Sequence, residues 1–296
     1  MQKIILDCDP GMDDALAIIN AVADRNIELL GLSIVAGNVA LHHTRRNALD
    51  ILHHLGIDLP VYEGAHKPLK RELHIAEEFH GAEGMGDLTL KNSSRNAHRN
   101  FGEFYLECAR KYPHEVTLVA VGPLTNVAIA LREYPELKDL LKEIIFMGGS
   151  LSGGNVTPHA EFNIFVDPEA ANIVLESGLP VTMIGLDATL KAKFSREELD
   201  ELRSNESLYS KFSMEIFDSM FRVRKAIGMD SVVFHDSIGV ISSVYGGAFT
   251  FENKRILVDE GDRRGETRED EKGFPVEVAM DFDREWFKRY LLEVLK

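Results

Sequence analysis

The sequence predicts an α/β protein: one domain over residues 1–296, with a mainly parallel central sheet covered by helices on both faces. Three observations predict it. Short apolar runs of strand type alternate with helical apolar periodicity along most of the chain. The residues that stand out for chemistry (Asp9, Asp14, Asn38, Thr125, Met147, Asp187) fall where predicted strands end, the edge at which open α/β sheets bind ligands. No internal repeat and no linker interrupts the alternation.

The first unit is Lys3–Cys8, an apolar strand, followed by a Pro10-Gly11 turn and an apolar helix opening at Ala15–Ile19. Between them stand four carboxylates within eight residues: Asp7, Asp9, Asp13 and Asp14. Capping accounts for one or two, with Asp9 as N-cap and Pro10 at the first helical position. Four acids packed without a counter-charge would repel and raise one another's pKa. A hard cation taking carboxylate oxygens resolves that conflict, so the stretch predicts a metal site.

Glu28–Ala36 is a second buried strand that stops at Gly37-Asn38. Residues 41–55 have helical spacing, and their histidines (His42, His43, His53, His54) come in neighbouring pairs that cannot share one helix face, which argues against a metal site there. Leu59–Gly64 is a short strand. From 65 to 98 the chain is polar and aperiodic, and glycines surround His80. A flap carrying His80 over a pocket and an ordinary surface loop both fit that composition.

Residues 100–112 form an amphipathic helix; Val116–Val121 is a strand, Gly122–Asn126 its turn, and Val127–Leu131 the following helix. The absence of a dinucleotide fingerprint and of a Walker-type Lys argues against phosphate binding. A carbonyl of this turn, or the Asn126 side chain, suits a hard metal or a sugar. Ile144–Met147 is a strand ending in Gly148-Gly149. In the loop 150–163, Glu161 and Asn163 lie two apart, so in an extended segment they face one way, as a polyol site or a turn network requires. Asp167 is the N-cap of a helix reaching Glu176. Pro180–Leu186 is a strand ending at Asp187. Residues 195–226 are helical, opened by a Ser195/Glu198 capping box. His235-Asp236 precedes an apolar helix, Ile238–Val244. Arg255–Val258 and Val276–Phe282 form a hairpin around a charged tip, and a closing helix starts at Asp283.

The composition (45% hydrophobic, 27% charged) is that of a chain able to bury a sizeable core. A net charge of −15 argues against nucleic-acid and anionic-membrane partners, and most of the acids serve solubility. Two cysteines, Cys8 and Cys108, give no disulfide framework. The chain starts without a signal-peptide pattern and has no apolar run near the ~20 residues of a membrane helix, so the expected location is cytoplasmic.

The run Asp7-Cys8-Asp9-Pro10-Gly11-Met12-Asp13-Asp14-Ala15 resembles the N-terminal signature of the nucleoside hydrolases, inosine–uridine-preferring type. The resemblance recurs at Asn38, His80-Gly81, Val121–Asn126, Met147–Gly149, Asn155, Glu161–Asn163 and His235-Asp236. It implies a Rossmann-like fold, a homodimer or homotetramer, and a Ca²⁺-dependent enzyme that splits a ribonucleoside into ribose and free base. By the same resemblance, Asp9, Asp14, Asp236 and the backbone carbonyl of Thr125 hold calcium. Asp13, Asn38, Glu161 and Asn163, with Asn155 and Met147, hold the ribose; His80 and Phe162 line the base side; His235 is the acid toward the leaving base. The chain departs from the family at Phe221–Gly228, where no Tyr or Gln stands to contact the base, which leaves base preference open and allows an atypical riboside.

Elementary chemistry agrees. Cleaving an N-glycosidic bond builds positive charge on the ribose, which an anionic pocket stabilises. A carboxylate must take the proton of the attacking water, and Asp9 is the expected base. The rival readings are an aspartate-nucleophile phosphatase, which shares the strand-Asp-x-Asp opening, and a non-catalytic sugar-binding protein.

Overall fold

A computed structural model describes residues 1–296. Its strands are β1 (Gln2–Cys8), β2 (Ile27–Ile34), β3 (Val61–Glu63), β4 (Val116–Ala120), β5 (Glu143–Met147), β6 (Val181–Ile184), β7 (Lys193–Ser195), β8 (Ser231–Val233), β9 (Phe249–Val258), β10 (Thr267–Glu269) and β11 (Phe274–Phe282). Nine of them make one sheet in the order β10-β9-β11-β6-β5-β4-β1-β2-β3. From β3 to β6 every pairing is parallel, and β11 joins β6 in parallel. Only β9 and β10 run antiparallel to their neighbours. The expected mainly parallel α/β sheet is therefore present.

β1 lies inside the sheet, between β4 and β2, and is apolar on both sides. Ile4 and Leu6 enter the core on one face of the sheet, while Ile5 enters the core on the other. A strand buried on both faces needs a continuous apolar run rather than alternation. The first face is covered by Met12–Ala23, Leu208–Ala226 and His235–Ser242, the second by Phe101–Lys111, Thr125–Glu133 and Pro168–Leu175. Neighbouring parallel strands bring their carboxyl ends to one edge, where Asp9 follows β1, Asn38 follows β2, Val121 follows β4 and Gly148 follows β5.

Several local expectations are corrected. The first helix starts at Met12 with Gly11 as N-cap, so Asp9 is free of capping, and Asp14 instead reaches back to the Gly11 N–H. Residues 65–98 contain a helical turn, Glu77–His80. The helical stretch 195–226 is three pieces, Arg196–Leu199, a 3-10 turn at Asp200–Ser204 and Leu208–Ala226. β7 and β8 form a separate two-stranded sheet whose three-residue strands are too short to leave a periodic signal. The hairpin tip carries β10 and packs inward: Thr267 Oγ1 accepts from Ser150 N at 2.7 Å. No helix is long and apolar enough to cross a membrane.

Candidate active site

At the carboxyl edge of the sheet lies a cavity of about 510 Å³, within the range of small-molecule sites. Its floor is acidic. Asp9, Asp13, Glu161 and Asp236 line it and are buried, and Asp14 lies behind them, fully buried. The Asp9 and Asp236 carboxyl groups each abut that of Asp14.

Backbone hydrogen bonds fix this arrangement. Asp14 accepts from Asp9 N and Gly11 N, both at 3.0 Å, and from Asn38 Nδ2 at 2.9 Å. Asp9 Oδ2 accepts from Asn38 N at 2.6 Å. Asp13 Oδ2 accepts from His235 N at 3.0 Å, joining the start of the first helix to the His235 helix. Its other oxygen, Oδ1, is buried and has no partner. Glycines clear the space around Asp9: a Cβ on Gly37 would lie 2.1 Å from Asp9 Oδ2, and one on Gly122 would lie 2.6 Å from Oδ1.

The other polar walls come from the loop after β5. Glu161 caps the helix Phe162–Val166, accepting from Asn163 N at 2.9 Å, Gly149 N at 3.0 Å and Ile164 N at 3.1 Å. Asn163 Nδ2 donates to the carbonyls of Val121 at 2.8 Å and Met147 at 3.1 Å. Asn155 Oδ1 accepts from Phe162 N at 3.0 Å. Two histidines close the opposite side. His80 Nδ1 accepts from Met12 N at 3.3 Å, and His235 Nδ1 meets the Thr189 hydroxyl at 2.9 Å.

Crowding and burial set the electrostatics. Burial, reinforced by the Asp14 charge, drives Asp9 well above the usual carboxylate range and lifts Asp13 to about 7. Burial followed by the Asp13 charge does the same to Asp236. Burial pushes Glu161 up to about 7 against the three N–H donors it accepts from. Both histidines move the other way: burial, then the Arg224 guanidinium, holds His80 at about 4 and His235 at about 3.

The structure thus brings Asp9, Asp13, Asn38, His80, Met147, Asn155, Glu161, Phe162, Asn163, His235 and Asp236 to one cavity. Thr125 stands apart. It is buried, and its hydroxyl donates to Asp167 Oδ2 at 2.7 Å; the residue after β4 that lines the cavity is Val121. Asn126 serves the fold instead, donating to Asp7 Oδ2 at 2.8 Å. Asp187 also lies off the cavity, accepting from Leu151 N at 2.8 Å. Thr189 and Arg224 were not foreseen; the one signal for Arg224 was its place in the segment that departs from the resembled family.

No three acid or histidine side chains stand at metal-holding geometry. The chemistry of the donor set nevertheless fits a hard cation: it is all oxygen, and it gathers buried carboxylates, two of which abut Asp14.

The sequence pattern of the family described as inosine-uridine preferring nucleoside hydrolase matches residues 4–289. The chain belongs to this family. Among its relatives, uridine nucleosidase 1 of Arabidopsis thaliana is 35% identical, the match covering 98% of this chain and 92% of the relative. The pyrimidine-specific ribonucleoside hydrolase RihB of Escherichia coli is 34% identical over 97% and 94% of the two chains. Among solved structures, the plant nucleoside hydrolase PpNRh1 superposes with a TM-score of 0.93 at 31% identity, over 99% of this chain and 98% of that one. The purine-preferring ribonucleoside hydrolase of Gardnerella vaginalis gives 0.92 at 33% identity, with the same coverage. This nucleoside hydrolase is therefore an enzyme of N-ribosyl bond cleavage, and the phosphatase and non-catalytic readings fall away.

Proposed function

We propose that this hydrolase cleaves ribonucleosides into ribose and free base with Ca²⁺ held by Asp9, Asp14, Asp236 and a main-chain carbonyl after β4. The observation that carries this reading is the floor of buried, mutually abutting carboxylates under an open cavity. The carbonyl in this reading is that of Thr125, since the Val121 carbonyl already accepts from Asn163 Nδ2 at 2.8 Å. A bound cation supplies Lewis acidity at the ribose hydroxyls and the attacking water, and balances the acids.

The side chains supply the rest. Asp13 Oδ1, without a partner, is placed to accept from a ribose hydroxyl, as are Asn38, Glu161 and Asn163 around it. Asp9 takes the proton of the attacking water. The acidic floor stabilises positive charge as it grows on the sugar. With ribose on the buried acids, the base points toward the mouth, past His80 and Phe162. His235 is the donor toward the leaving base, and as a neutral imidazole at pH 7 it offers an N–H to the base. The cytoplasmic location and the homodimer or homotetramer belong to the same proposal; light scattering of the purified protein reads the latter.

The test is ribose release from uridine, cytidine, inosine and adenosine, with and without chelator. Activity is expected to vanish on chelation and return with calcium. Asp9→Ala is expected to lose about 10²–10⁴-fold, the usual worth of an acid–base group, with its circular dichroism unchanged. Full turnover under chelation, or in Asp9→Ala, overturns the proposal.

A further inference from the structure

Arg224 is the unexpected charge of the cavity. It lies in the last turn of the helix Leu208–Ala226 and lines the cavity beside His80 and His235. Its guanidinium makes no hydrogen bond or ion pair with any side chain; its one noted attraction is to Asp13. It lines the same cavity as Asp13, His80 and His235, so it faces the space a ligand would fill. Nearby arginines behave differently: Arg222, two residues earlier, is held by Asp87 at 2.7 Å. Leaving a half-buried guanidinium without an acceptor is costly, so the site is arranged for a ligand that brings one.

We propose that Arg224 is the residue that receives the departing base, its guanidinium taking the carbonyl oxygen beside the glycosidic nitrogen of a pyrimidine. This rests on the ribonucleoside reading above and names its preferred substrate class. Pyrimidine ribonucleosides carry an oxygen at C2, next to the bond that breaks; adenosine and inosine have no oxygen adjacent to theirs. In the step, water gives its oxygen and one hydrogen to C1′, and its other proton passes to Asp9. The C1′–N1 bond breaks, and its electron pair goes to the base, where the charge spreads onto O2. A planar cation facing that oxygen is stronger there than in the ground state, because the charge exists only as the bond breaks. The base takes up a proton at N1 as it reaches solvent and Asp9 releases one, so a single water is consumed. Arg224 thereby occupies the role left open by the missing Tyr and Gln of Phe221–Gly228.

The experiment compares wild type with Arg224→Met and Arg224→Lys on uridine, 5-fluorouridine and adenosine, and measures uracil and adenine binding by calorimetry. A charge-assisted hydrogen bond predicts that Arg224→Met loses about ten- to a hundredfold in kcat/KM on uridine, mostly in kcat. The loss on adenosine is expected to be at least about tenfold smaller. The loss on 5-fluorouridine is also smaller than on uridine, because its base leaves as a more stable anion. Arg224→Lys, which keeps the charge, recovers part of the uridine loss. Uracil binds the Met variant more weakly than wild type, and adenine does not. Equal losses on uridine and adenosine, no loss on uridine, activity confined to purines, or unchanged uracil affinity overturns the proposal. A wild type that releases no ribose at all overturns the hydrolase reading instead, and the uracil arm still decides the role of Arg224.

Discussion

Glu161 shows how far a single carboxylate is bent to the needs of the site. It is 2% exposed and sits at about 7, although three backbone N–H groups point at it. The folded protein therefore holds this proton more tightly than the unfolded chain, where a glutamate titrates near ~4.3. The sign follows: the stability is fully present below about pH 4 and is lost as pH rises toward 7. Urea unfolding of wild type and Glu161→Gln, without ligand, is expected to coincide near pH 4 and diverge by pH 8, with the Gln protein the more stable. Parallel curves would show that Glu161 ionises normally. At this scale the sequence was informative where residue type alone sets the chemistry. Four acids between a strand and a helix have few peaceful explanations, and Asp9, Asp13 and Asp14 converge as their crowding suggests. Glu161 and Asn163 also meet at the cavity, though through a helix cap rather than an extended segment. Arg224 was illegible, because an arginine in the last turn of a helix ordinarily faces solvent and complements the helix dipole.

The elements hold these side chains close to the backbone, and glycines at strand ends make that possible. Gly122 follows β4 at a point where a Cβ would lie 2.6 Å from Asp9 Oδ1. Gly122→Ala is expected to displace the Asp9 carboxylate and lower kcat by about 10²-fold, as a small misplacement of a catalytic group does. Thermal melting checks that the fold survives, and normal kcat would show that Asp9 has room to move. A second element-scale tie binds the segment 65–98 to the helix that carries Arg224: Asp87 accepts from Arg222 at 2.7 Å and from Ser219 at 2.6 Å. Asp87→Ala is expected to raise KM severalfold while leaving the thermal midpoint nearly unchanged, because the pair is half exposed. Strands and helices of ordinary length could be read from their periodicity. The three-residue β7, β8 and β10 could not, because strands that short carry no alternation to read.

Across the whole molecule, both cores share one sheet. Phe234 and Phe146 are buried on opposite faces. Truncating either to Ala is expected to cost about 3–5 kcal/mol. Fluorescence of the lone Trp286 and far-UV circular dichroism should report one coincident urea transition, since damage to either face loosens the same strands. An early Trp286 transition would show that the C-terminal helix melts separately. The alternation of strands and helices made this architecture readable, and the β9/β11 hairpin was readable too; the parallel pairing of β11 with β6 needed the structure, because a hairpin says nothing about which strand it will join. The cavity is assembled from unequal parts. Its acidic floor comes from the end of β1 and from helix N-termini packed on the sheet, while the partly exposed Ile75, Phe79, Leu190 and Met229 come from the segments that connect the larger elements. Such a division separates two kinds of inheritance: a descendant can exchange the rim and acquire a new nucleobase while its sugar chemistry passes on untouched.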